Sequence, residues 1–236
     1  MTRRAPAAAV LAALLLATAC TVEDVPDVDG NPGAGSAALA SLDDLTVKGR
    51  APKSGYDRRK FGSPWPDTDG NGCGTRDDIL QRDLTDVTVQ DDCTVTSGTL
   101  TPDPFTGERV TFERGGRSEV DIDHLVALSD AWQKGAHAWE PAKRIAFAND
   151  PLNLLAVDAS ANRAKGDADA ATWLPPHKPY RCAYAAAQVA VKDKYELWVT
   201  QAEHAALTRV LTACPDEPLP TGTAPTTAPP DFTAPR

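Results

Sequence analysis

The chain has little of what most chemistries would require. It contains no Cys-x-x-Cys spacing, so its five cysteines do not point to a four-cysteine zinc site. It carries no paired-carboxylate or zinc-ligand pattern of the kind a peptidoglycan-degrading enzyme would use. The apolar run from Ala5 to Leu16 is shorter than the roughly 20 residues a spanning helix needs. Positive charge is scarce as well. Lysine and arginine number 24 against 33 aspartates and glutamates, a net charge of −9. That balance argues against a strong non-specific grip on a polyanion, although a local basic cleft and a metal can act on a negative background. No internal repeat and no base-reading element is visible, so sequence-specific recognition is not expected.

What is present first is a targeting segment. Arg3 and Arg4 precede the apolar run, and Ala17-Thr18-Ala19-Cys20 supplies small residues followed by cysteine. This resembles a bacterial lipobox, with Ala17 where leucine is usual. It implies either a lipid on Cys20 or ordinary secretion with cleavage nearby, and in both cases an extracytoplasmic location. Without Cys20 an even set remains: Cys73, Cys93, Cys182 and Cys214. Three pairings are open. Pairing by proximity, Cys73–Cys93 and Cys182–Cys214, closes short loops and suits an oxidising compartment.

The length suits one domain. Residues 1–20 read as the leader. Residues 21–50, with six acids against two bases, read as a flexible tether, and the Pro/Thr-rich 215–236 as a disordered tail. Within 51–214 the patterns predict helices at 77–84, 141–148, 159–165 and 184–198. A final helix opens at the capping-box signature Thr200-Gln201-Ala202-Glu203. Short strands are expected at 119–123 and 153–157, and a hairpin-like pair at 93–96 and 109–113.

The chemistry concentrates in Asp121-Ile122-Asp123-His124, Asn153-Leu154 and Asn162-Arg163-Ala164-Lys165. Histidine has a pKa suited to taking a proton from water, so His124 is the candidate general base. Asp123 and Asn162 offer oxygen ligands to a hard divalent cation, Mg²⁺ before Mn²⁺, which needs only one or two protein ligands. Asn153 is expected to hydrogen-bond backbone and orient His124. Lys165, three residues after Asn162 on the same helical face, is expected to contact phosphate, with Arg163 as a second contact. Asp121 is expected to face away from the metal. Arg76 and Arg82 are candidates for a phosphate-binding wall, with salt bridging as the plainer role.

An Asp-His strand end, an Asn-Leu strand start and an Asn-x-x-Lys helix, in that order, resemble the HNH endonucleases. The Asn-Arg-x-Lys form is similar to the HNH domain of CRISPR effector nucleases. From Tyr56-Asp57-Arg58-Arg59 to Cys214 the chain resembles exported bacterial HNH-family proteins related to the C-terminal domain of GmrSD-type restriction enzymes. The resemblance implies an α+β fold, a small domain with a ββα-metal (HNH, or His-Me finger) core, additional helices and disulfide staples. It implies a metal-dependent endonuclease that hydrolyses DNA, with RNA left open as a further substrate. The expected partners are a nucleic acid substrate and, through the lipid anchor only, a membrane; a monomer with no protein partner is expected.

The rival reading is a non-catalytic surface lipoprotein on a degenerate nuclease scaffold. It would bind Ca²⁺ through Asp67-Thr68-Asp69-Gly70-Asn71-Gly72 and Asp78, which mimic a calcium loop. The prolines of Phe61 to Pro66 deny that loop an entering helix, so it is read as a structured turn. His137, His177 and His204 are expected at the surface or in packing, and Trp132, Trp139, Trp173 and Trp198 in the core.

Overall fold

The computed structural model describes residues 1–2, 34–117, 119–230 and 232. Cys20 and the apolar leader lie outside the described residues. In chain order the elements are α1 (Ala34–Asp44), α2 (Thr75–Asp83), β1 (Thr85–Gln90), β2 (Thr94–Leu100), β3 (Val110–Glu113), β4 (Val120–His124) and α3 (Leu128–Gln133). They continue with α4 (Pro141–Asn149), β5 (Leu154–Asp158), α5 (Ala159–Lys165), α6 (Arg181–Tyr195) and α7 (Gln201–Leu211). The protein is a mixed α+β fold with two disulfides, Cys73–Cys93 and Cys182–Cys214, the pairs that proximity predicts.

Local chemistry sets the helix starts. Pro141 opens α4, where a missing N–H costs nothing. Asp158 caps α5 by accepting from Ala161 N at 2.7 Å. Thr200 and Glu203 form the capping box of α7. The strands make two sheets. One is antiparallel, in the order β1-β2-β3, and the other is the antiparallel pair β4-β5 with His124 opposite Leu154 and Asp123 opposite Leu155. The expected hairpin of 93–96 with 109–113 is β2 paired with β3. Strand β1 was not expected: it is mostly exposed and its pairing is broken by register shifts, which blur the period-2 pattern. Helix α3 was not expected either, because five of its six residues are buried and no polar face marks its period.

The tether expected over 21–50 is folded in its second half. Ala38 and Leu42 of α1 are fully buried in one cluster with Ala186, Val189 and Leu207 of α6 and α7. The chain then pairs Val47 with Val199 in a parallel bridge. Sequence composition misled here because alanine serves a helix interface and a linker equally. The tail expected to be disordered also packs. Ala228 is buried against Ile145 and Ala146, and its N–H donates to Ala142 O at 3.1 Å. A cavity of about 560 Å³ lies between residues 220–229 and a wall that includes Arg82, Asp150 and Leu152.

Beneath α1 and α7 sits a buried charge cluster. Lys134 Nζ reaches Asp130 Oδ1 at 2.8 Å, Asp169 Oδ2 at 2.8 Å and Glu203 Oε2 at 2.6 Å. Lys192 Nζ lies 2.9 Å from Glu203 Oε1 and 3.5 Å from Asp130 Oδ2. Arg50 closes the set with Asp130 and Asp169, both at 2.6 Å. Burial by itself would raise the Asp130 carboxyl, but Lys192, Lys134 and Arg50 outweigh it and hold it below its ordinary value.

Glu203→Gln leaves two buried ammonium groups under-compensated and is expected to cost about 3–5 kcal/mol in urea unfolding; a loss below about 1 kcal/mol would mean the cluster is effectively hydrated. The lowered Asp130 value also sets a pH dependence. Its contribution is complete above the unfolded carboxyl value of about 3.9 and is lost as the pH falls through the lower folded value. Urea midpoints measured between neutral pH and pH 2 should therefore fall chiefly below about pH 4.

Candidate active site

The β4–β5 pair has two faces, and alternation decides which residues meet. Val120 and Ile122, with Ala156 opposite Ile122 and Leu154 opposite His124, join the cluster with Ile79 and Leu80 of α2. Asp121 and Asp123 point the other way, toward α5. Asp121, expected to face away from the metal, instead shares a face with the expected ligand Asp123, because residues two apart on a strand do so. Asn162 Nδ2 donates to Asp121 Oδ2 at 3.2 Å, so the asparagine expected beside Asp123 is bonded to Asp121.

Asp123 is buried. Its Oδ1 accepts from Lys165 Nζ at 3.0 Å, and Lys165 also donates to His124 O at 2.9 Å. The Lys165 side chain is fully buried in this pair. It is therefore not free to meet a phosphate, and that expectation is corrected: its ammonium locks α5 to the end of β4. Asp123 Oδ2 is buried and receives no hydrogen bond of normal geometry. Burial pushes the Asp123 carboxyl up to about 6, against the pull of Lys165, and Asp121 adds to the rise. This buried carboxylate oxygen, with Asp121 and its partner Asn162 on the same face toward α5, offers the oxygen donors a hard cation prefers. Among the described residues no three His, Cys, Asp or Glu side chains group as a metal cage. A cation held here would keep most of its waters, as Mg²⁺ does.

His124 ends β4, and its ring lies on the opposite side from Asp123. Trp65 lies nearly parallel to it, with ring centroids 5.9 Å apart and planes 16° apart. His124 Nε2 is 2.9 Å from Ala148 O. A carbonyl only accepts, so Nε2 carries the proton and Nδ1 keeps the lone pair. Burial, and secondarily Arg58, lower the His124 pKa to about 3, which leaves the imidazole neutral at ordinary pH. Asn153, fully buried, accepts from Val126 N at 2.9 Å through Oδ1, while its backbone carbonyl accepts from Leu125 N at 2.8 Å. It thus fixes the two residues that follow His124.

Arg76 is half-buried over the Phe112 ring and within electrostatic reach of Asp121. Arg163 is exposed on α5. Arg82 takes the plainer role: it donates to Pro151 O and Leu154 O at 2.8 and 2.7 Å and pairs with Asp83, tying α2 to β5. In the calcium-loop mimic, Asp67 Oδ1 accepts from Gly70 N and Asn71 N, and Oδ2 from Gly72 N. Its carboxylate is spent on its own turn, as a structured turn requires. His137 Nδ1 lies 3.0 Å from Trp132 O, His177 N donates to Phe105 O at 2.9 Å and His204 Nε2 lies 3.6 Å from Asp43 Oδ1, so all three are occupied in packing away from His124. What sequence reasoning missed is the loop before α2, which brings Arg58 and Trp65 to His124. Its proline-rich, non-periodic composition carries no signal of that placement.

Residues 74–210 match the family described as GmrSD restriction endonucleases, C-terminal domain. A protein of Arthroderma benhamiae named "Uncharacterized secreted protein" is 42% identical over 209 residues, covering 87% of this chain and 97% of that relative. That relative is fungal, whereas the sequence motifs pointed to bacterial exports. No solved structure matches.

Lys165 is the chief cation that holds the Asp123 value down, so Lys165→Met is expected to move the Asp123 titration above about 6. Carboxyl ¹³C NMR reads this directly, and an unchanged or lower value would refute the pairing.

Proposed function

This chain belongs to the family of GmrSD restriction endonuclease C-terminal domains, and from that membership we propose that it is a metal-dependent nuclease that hydrolyses DNA outside the cytoplasm, with RNA left open as a further substrate. The observation that carries the reading is the buried Asp123 Oδ2, which receives no hydrogen bond of normal geometry, on a strand that ends in a neutral histidine. We read β4, β5 and α5 as a ββα-metal unit of the HNH type. Asp123, with Asp121 and Asn162, would hold the cation, which when bound supplies neutralising charge to the phosphate and the leaving oxygen. The donor set of the metal thereby gains Asp121 over the sequence expectation.

His124 does the proton work. With Nε2 spent on Ala148 O, Nδ1 accepts the proton of the attacking water. Asn153 holds the following backbone so that the imidazole keeps one orientation. Lys165 fixes Asp123 and the His124 carbonyl in one contact, and so couples the two faces of the strand. The substrate is read as crossing the end of β4, where those faces meet. Arg76 and Arg163 remain the candidate phosphate contacts on the Asp123 side. The extracytoplasmic setting rests on the two disulfides, the leader-like N-terminus and the printed name of the fungal relative. Anchoring through Cys20 is part of the same proposal.

Two observations favour the rival, non-catalytic scaffold: Lys165 already neutralises one Asp123 oxygen, and burial lowers the His124 pKa to about 3, which makes it a weaker base than a free imidazole. An assay separates the two readings. The purified full chain should nick and degrade plasmid DNA with Mg²⁺, and EDTA should stop it. Asp123→Asn and His124→Ala should each lower the rate by about 100-fold or more. Cleavage that survives His124→Ala would sink this mechanism, and no cleavage with any divalent cation would favour the scaffold.

A further inference from the structure

The side of β4 that carries His124 opens on a cavity of about 180 Å³, lined among others by Arg58, Phe61, Trp65, Leu128 and Asn149. That is smaller than the roughly 300 Å³ at which drug-sized pockets begin. It suits one planar ring system. Its walls are mostly apolar, and its aromatic surface is the half-buried indole of Trp65.

The backbone of Trp65 is held in an unusual state. Its φ is +58°, in the left-handed region that bulky residues rarely enter, and it precedes Pro66, which favours an extended neighbour. The surrounding loop enforces this. Thr75 Oγ1 donates to Pro66 O at 2.6 Å. Gly62, at φ +92°, lies so close to α4 that a Cβ would sit 2.9 Å from Ile145 Cγ1. Strained backbone of this kind persists where the fold over-determines it, and it clusters at ligand sites. Here it lays an indole parallel to the imidazole that ends β4. Of the two arginines on the rim, Arg59 is paired with Asp57, whereas Arg58 is exposed and makes no hydrogen bond or ion pair among the described residues.

We propose that this cavity is a nucleobase subsite: the base of the nucleotide beside the scissile phosphate stacks on Trp65, and Arg58 meets a flanking phosphate. This rests on the nuclease reading above and narrows it. A base already paired and stacked in a duplex cannot enter a pocket one ring wide, so the preferred substrate is single-stranded or locally unpaired nucleic acid. Stacking on an aromatic ring tolerates every base, which agrees with the lack of a base-reading element.

The test uses the full chain and two readouts. In cleavage assays with Mg²⁺, wild type should cut a single-stranded DNA oligonucleotide faster than its duplex. It should spare the phosphate beside a single abasic position. Trp65→Ala should lower kcat/KM on the intact strand about 10- to 100-fold and abolish the difference between intact and abasic sites, while Trp65→Phe keeps much of both. In EDTA, where turnover stops, an oligothymidylate should quench tryptophan fluorescence in wild type and do so far less in Trp65→Phe. Equal losses on intact and abasic DNA in Trp65→Ala would reduce Trp65 to a packing residue and overturn the subsite. So would a duplex cut as fast as a single strand. Quenching through Trp65 without any cleavage would leave the subsite standing and sink the nuclease reading. Cleavage indifferent to the base would do the reverse.

Discussion

One ammonium group organises the helical half of this protein. Lys134 is buried among Asp130 of α3, Asp169 beyond α5 and Glu203 of α7, while Lys192 of α6 and Arg50 complete the balance of three cations and three carboxylates. Each of these groups would be prohibitively costly to bury alone. They are tolerable only together, so the five segments that bring them have one arrangement that satisfies all. Glu203 serves three times, as the capping-box partner of Thr200 and as the ion-pair partner of both Lys134 and Lys192. The start of α7 is thereby fixed by the same side chain that ties it to the interior. Asp169 follows α5 by four residues, so the helix that carries Asn162 and Lys165 is seated by the cluster as well.

At the same C-terminal end of α5 a second buried pair governs the candidate site. Lys165 bridges the Asp123 carboxylate and the His124 carbonyl, and strand geometry puts the two side chains of that Asp-His step on opposite sides. The site is therefore bipartite. One side is acidic and oxygen-rich, with Asp121, Asp123 and Asn162. The other is aromatic and carries the imidazole with Arg58 and Trp65.

Much of this was legible in sequence where the signal is local. The capping box announced α7, the alternation of β-branched residues announced β2 and β3, and cysteine proximity gave both disulfides. The order Asp-His, Asn-Leu, Asn-x-x-Lys gave the strand, strand and helix that became β4, β5 and α5. What was not legible is non-local. Lys165 reads as a phosphate ligand until its burial against Asp123 is known. The charges of the Lys134 cluster are spread from Arg50 to Glu203, and none stands in a recognisable spacing. The Asp121 expectation failed for a different reason: the period-2 rule itself places it beside Asp123. Composition misread both ends of the domain. Alanine in α1 and proline in the tail suit linkers, yet Ala38, Leu42 and Ala228 are buried.

The two kinds of charge in this molecule should answer differently to the salt around them. Mobile ions weaken interactions between exposed charges over about a Debye length, about 8 Å at physiological ionic strength, but act far less on pairs sealed from solvent. The Lys134 cluster is of the sealed kind. Arg58 and Arg163, which face solvent, are of the other. In dilute or briny media alike the fold would keep its internal ion pairs, while exposed pairs such as Lys53–Asp167 would weaken as salinity rises.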